Sequence, residues 1–165
     1  GKDAVKDVPE NIRRNREAMA ETIENNLRRL IIEESPANPM YYEKMSVLLD
    51  ELIKRRREAT LEYEKYLNEI IALSRKVKKP ETAREYPASL DTNAKRALYD
   101  NIDNNEELAI ELDHKIMTTK KDVWRDNKIK TREVEHAIKE VLDAHQIKEP
   151  GVEYVIELVK NQKDY

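Results

Sequence analysis

Apolar residues recur along this chain at spacings of three and four, the period of a helix, and no stretch alternates convincingly as a strand would. From Glu17 onward, Met19, Ile23, Leu27, Leu30 and Ile31 fall on one stripe. The stripe stops at Glu34-Ser35-Pro36, because the residue before a proline is pushed out of the α region. Asn38 then stands where an N-cap belongs, with Pro39 at the first helical position, where its missing N–H is no loss. SPANP is therefore a stop followed at once by a start, a compact corner between two helices.

The strongest periodic signal comes next. Met45, Leu49, Leu52, Arg56, Ala59, Tyr63, Tyr66, Ile70, Leu73 and Val77 alternate steps of four and three throughout. A period of 3.5 marks a seam packed along another helix. It predicts one long helix over about residues 39–78, roughly 60 Å at 1.5 Å per residue, with a break near Arg56 to Ala59 as the alternative. Arg56, the one charged member of the seam, is expected to pair with an acidic residue of a neighbouring helix.

Residues 79–90 read as a linker, with Pro80 and Pro87 closing off helix. Asp91 or Thr92 then caps a short helix through Ala94, Ala97 and Leu98. Asp103-Asn104-Asn105-Glu106 has capping-box spacing ahead of a helix carrying Leu108, Leu112 and Ile116. After the connection KKDVWRDN, Val134, Ala137, Ile138, Val141 and Leu142 form another stripe. Glu149-Pro150 opens a last helix with Val152, Val155, Ile156 and Val159. The expected fold is all-α, an irregular bundle of about six helices in a single domain over 1–165. It comprises a helical pair over 17–78, the linker, and smaller helices over 91–162.

Composition agrees. Of 165 residues, 39% are charged and only two are glycine, poor material for tight-turned sheets and good material for solvent-facing helices. The absence of cysteine excludes disulfides and thiolate metal sites, and points to a reducing, cytoplasmic compartment. No apolar run approaches the ~20 residues that a membrane span needs. A net charge of −3 gives no global attraction to nucleic acid, so any DNA-binding face must be local.

Two Glu-x-x-His pairs, Glu111 with His114 and Glu133 with His136, have the spacing used in di-iron helical bundles. On a wheel advancing about 100° per residue, both pairs point away from the apolar stripes, so solvated side chains are expected and not a metal site. No Gly-x-Ser-x-Gly and no Gly-rich phosphate loop occurs, so the residues suggest no catalytic role. Charge patterning offers more. Between residues 120 and 132, Lys120, Lys121, Arg125, Lys128, Lys130 and Arg132 oppose only Asp122 and Asp126. With the lone Trp124 this segment is a candidate track for a phosphate backbone, although Trp124 suits a core plug as well. Lys54 to Arg57 is a second, weaker basic candidate. Of Tyr41 and Tyr42, about 100° apart on a helix, one is expected inward and one in a partner interface. Arg56 and Trp124 complete the candidate interface set.

Several separated blocks carry a resemblance. They are ETIENNLRRLIIEESPANPMYYEKMSVLLDELI, YPASLDTNAKRALYDNI, the spaced Trp124-Arg125, Lys130-Thr131-Arg132 and Ala137-Ile138, and the ending ELVKNQKDY. In this order, from about Val8 to Tyr165, they resemble the C-terminal helical region of the restriction (R, motor and nuclease) subunit of type I restriction-modification systems. The resemblance implies a parent chain with an endonuclease domain and two RecA-like translocase domains using ATP and Mg2+. None of those motifs lies in these residues, so no catalytic or cofactor-binding residue is carried over. It further implies an excised domain, with Gly1 a cloning remnant and Tyr165 at or near the natural C-terminus. The implied role is assembly and coupling. The partners would be the methyltransferase and specificity subunits, with double-stranded DNA as a further one. A self-associating coiled coil along the 45–77 seam is a third reading, against an expected monomer.

Overall fold

The computed structural model describes residues 9–82 and 86–165; Gly1 and Val8, and residues 83–85 of the expected linker, lie outside them. Seven α-helices occur among the described residues: α1 (Glu10–Glu34), α2 (Pro39–Arg57), α3 (Tyr63–Lys78), α4 (Asn93–Asn101), α5 (Glu106–Thr119), α6 (Lys128–Ala144) and α7 (Val152–Lys160). Short 3-10 turns lie at Ser35–Ala37, Pro80–Thr82 and Trp124–Asp126, and no strand occurs among the described residues. The all-α expectation is met.

The long helix is not continuous. The seam is real, since Met45, Leu49, Leu52, Tyr66, Ile70, Leu73 and Val77 are all buried. Yet α2 ends at Arg57 and α3 begins at Tyr63, so the two halves fold back on each other. Ala59 takes a left-handed conformation (φ 54°), the Thr60 amide donates to Arg55 O at 3.1 Å, and the Ala59 amide donates to Arg56 O at 3.1 Å. Those two bonds close the helix end as a Schellman motif, with alanine where glycine is usual. A pattern with period 3.5 registers which residues face a partner, but it does not distinguish one long helix from a hairpin whose turn keeps the phase.

The chain is organised in two parts. It divides into two compact units, the first formed by residues 9–35 and 42–82, the second by 36–41 and 86–165. The physical reason is two separate cores. In the first unit α1, α2 and α3 form a three-helix bundle. Arg28 pairs with Asp50 at 2.6 Å across α1 and α2, Arg55 pairs with Glu69 at 2.9 Å across α2 and α3, and the Tyr66 hydroxyl reaches Glu24 at 2.9 Å across α3 and α1. Helix α1 starts a full two turns before the Glu17 expected from its stripe. It buries Ala20, Glu24, Leu27 and Ile31 and leaves Met19 56% exposed.

The second unit gathers α4 to α7 around one cluster that includes Leu98, Leu108, Leu112, Ile116, Trp124, Val134, Ile138, Val155 and Val159. Three of its helices, α4, α5 and α6, begin with side-chain caps: Thr92 accepts from the Lys95 amide at 3.1 Å, Asn105 from Leu108 at 3.0 Å, and Asn127 from Lys130 at 3.0 Å. Each satisfies an N–H that has no partner within the helix. The expected cap at Asn38 is also present, with its Oδ1 accepting from the Tyr41 amide at 3.3 Å.

Candidate functional site

The basic segment 120–132 connects α5 to α6. Trp124 is only 2% exposed; its Nε1–H donates to Tyr165 O at 3.4 Å, while Thr131 Oγ1 donates to Trp124 O at 2.6 Å. It is a core plug, not a stacking platform or an interface residue, because a buried indole with a satisfied N–H presents no face to a ligand. Arg125 lies over the Trp124 ring, 4.8 Å from its centroid. Its guanidinium donates to Lys160 O at 2.9 Å and to Gln162 O at 2.6 Å. Those carbonyls follow the last turn of α7 and have no helical partner, so Arg125 caps that helix.

Two more of the candidate cations have internal partners. Lys121 pairs with Glu133 at 3.0 Å, and the Lys130 ammonium donates to Asp122 O at 2.9 Å. Lys120 is half-buried, and its amide closes α5 on Ile116 O at 2.9 Å. Lys128 and Arg132 are exposed, with no side-chain hydrogen bond or ion pair among the described residues. Among the described residues the six-residue basic track thus reduces to three cations without a side-chain partner, the half-buried Lys120 and the exposed Lys128 and Arg132, beside the exposed Asp122 and Asp126.

Tyr41 and Tyr42 are both buried, so the expectation of one outward tyrosine is corrected. Tyr41 belongs to the second unit and Tyr42 to the first. The Tyr42 hydroxyl donates to Val77 O at 3.1 Å. Burial, with the Glu34 and Glu81 carboxylates nearby, pushes that phenol up to about 12.

Arg56 meets its expected acidic partner and is therefore not a free interface residue. Its Nε and Nη2 donate to the two Glu24 carboxylate oxygens at 2.6 and 2.9 Å, a bidentate pair with both side chains at least nine-tenths buried. The bond to Glu24 raises the Arg56 guanidinium above its ordinary value. Tyr66, fully buried, donates to the same carboxylate, and burial raises its phenol strongly. Two groups, from α2 and α3, thus converge on one carboxylate of α1.

His114 and His136 lie on the surface, as the wheel predicts, and no group of acidic and histidine side chains among the described residues could hold a metal ion. The Glu111 carboxylate instead meets His145 Nε2 at 2.6 Å, a pairing between α5 and the end of α6 for which the sequence holds no periodic signal. Also unread from the sequence are Arg13, Arg14 and Arg16 on the first turns of α1, which line a cleft of about 350 Å3 with Arg56 and Arg57. Only their folding together on one side of the first bundle makes them a group.

No protein-family model, no curated protein and no solved structure matches this chain. Among the described residues, no helix is long and apolar enough to cross a membrane.

Proposed function

We propose that this chain is a non-catalytic assembly and coupling module of an ATP-dependent type I restriction endonuclease subunit, acting in the cytoplasm in DNA restriction. It would join the motor to the methyltransferase–specificity core. The observation that carries the reading is the ordered series of sequence blocks described above, with NPMYYEKMS as the most distinctive. The geometry supports a scaffolding role for that block. Asn38, Tyr41 and Tyr42 are all buried and hydrogen-bonded into the fold, as a shape-defining corner requires. Titratable side chains that sequence alone could offer to chemistry, including Glu24, Arg56 and Tyr66, are held in a structural network.

Size-exclusion co-elution with its own methyltransferase–specificity complex, without DNA and at physiological salt, tests the reading. Co-elution supports it; separate elution at micromolar concentrations removes the assembly role from these helices.

DNA contact remains a second reading, favoured by one specific observation: Lys128 and Arg132 are exposed, with no side-chain partner among the described residues. It predicts duplex affinity that falls steeply with salt. The self-associating coiled coil is less favoured, because the residues of its seam are already buried within one chain. Sedimentation velocity distinguishes it.

A further inference from the structure

The cleft in the first unit differs in chemistry from the rest of the surface. It opens between the first turns of α1 and the turn joining α2 to α3, and offers about 350 Å3, within the roughly 300–1,000 Å3 of ligand clefts. Five guanidinium groups from two distant chain segments line it: Arg13, Arg14 and Arg16 from α1, Arg56 and Arg57 from the end of α2. The carboxylates in the lining are Glu10 and Glu17. Arg56 is neutralised by Glu24 beneath, which leaves two guanidinium charges in excess.

The walls are also organised. The Arg16 guanidinium sits 4.6 Å above the centre of the Tyr63 ring, and Tyr63 stacks on Tyr66 with centroids 6.3 Å apart. Tyr66 is in turn fixed to Glu24. One cationic wall is therefore held in place by an aromatic stack anchored in the core. Arg14 makes only a long contact of 3.7 Å to Glu10, both exposed. Arg13 and Arg57 have no side-chain partner among the described residues. Like charges lining one cleft repel unless an anion sits among them, and guanidinium groups match phosphate oxygens in a planar, two-pronged geometry.

We infer that this cleft is a binding site for a small phosphorylated anion carrying two or more negative charges, held by Arg13, Arg16 and Arg57. A concave cleft of about 350 Å3 suits a compact phosphate better than an extended duplex backbone, which is too large to enter it.

Isothermal titration of the whole chain with inorganic tripolyphosphate, at low salt and with sulfate at matched ionic strength as the reference, tests this. The expected result is saturable one-site binding with a Kd below about 1 mM. Arg13→Gln with Arg57→Gln should weaken it by about tenfold or more, and the lysine pair at the same positions should recover part of the loss. Lys128→Gln with Arg132→Gln, in the second unit, should leave it unchanged. Absence of saturable binding, equal binding of sulfate, or equal weakening by the distant pair overturns the site. A short DNA duplex that displaces tripolyphosphate at far lower concentration overturns the small-ligand assignment; a duplex that competes no better supports it.

Discussion

Asn101, at the end of α4, donates its Nδ2 to Asn38 Oδ1 at 2.7 Å. The same Asn38 oxygen caps α2, and the Asn101 Oδ1 accepts from the Met40 amide at 3.2 Å and the Tyr154 hydroxyl at 2.9 Å. Asn38 Nδ2 continues the chain to Asp100 at 2.9 Å. Two asparagines 63 positions apart thus stitch the SPANP corner to α4, each using both ends of its amide group.

Asn101→Ala should therefore destabilise the second unit by about 3 kcal/mol, because it leaves the Met40 amide and the Asn38 oxygen under-satisfied in a buried setting. Chemical denaturation followed by circular dichroism checks this. A loss under about 1 kcal/mol would mean that water replaces the side chain without strain.

Glu24→Ala should cost about 3–5 kcal/mol, since it strands the Arg56 cation and the Tyr66 hydroxyl in the first bundle. Glu24→Leu combined with Arg56→Met should recover much of that loss, because an apolar pair has no desolvation cost. A double-mutant cycle gives the coupling directly.

Ala59 and Gln146 both occupy left-handed positions just beyond a helix, at φ 54° and 58°. Around Gln146, the Ile147 amide reaches Leu142 O at 2.8 Å, the same closing bond as at Ala59. Ala59→Gly and Gln146→Gly should each stabilise the protein by about 1 kcal/mol, because glycine has no Cβ to clash there. Thermal melting should show rises of a few degrees.

Alkaline pH should weaken the first unit. The folded state holds the Tyr42 phenol at about 12 against 10.0 for the exposed group, so the unfolded chain loses that proton first. Its stabilising contribution is complete below pH 10 and disappears as pH rises toward 12. The Tyr66 shift acts in the same direction. The stability difference between the wild type and Tyr42→Phe, measured by urea denaturation, should shrink across that window.

In the basic segment, function and structure should separate by residue. Arg125→Gln should lower the melting temperature by several degrees, because the end of α7 loses its cap. Lys128→Gln with Arg132→Gln should leave melting unchanged. If duplex DNA binds here, that pair should reduce the slope of affinity against salt by about two.

The sequence by itself determined the all-helical class, the stop and start at SPANP, the cap at Asn38, the choice of Asp91 or Thr92 as the next cap, and most of the buried residues of the 45–77 seam, Ala59 and Tyr63 excepted. These depend on local conformational preference and on periodicity, both written in neighbouring residues. It also placed both Glu-x-x-His pairs on the surface, because a helical wheel needs only residue spacing. Where the seam folds back was decided by closure of the α2 end at Ala59, a left-handed alanine that no glycine announces. Only the tertiary structure decided what each charge and ring does. Arg56 faces Glu24, Arg125 caps α7, and the Tyr42 hydroxyl meets the Val77 carbonyl, because these partners come from segments 30 or more residues away. The gathering of Arg13, Arg16 and Arg57 is of the same kind. A side chain's composition says that it is charged; whether that charge is neutralised, buried or free is set by what the fold brings within reach of it.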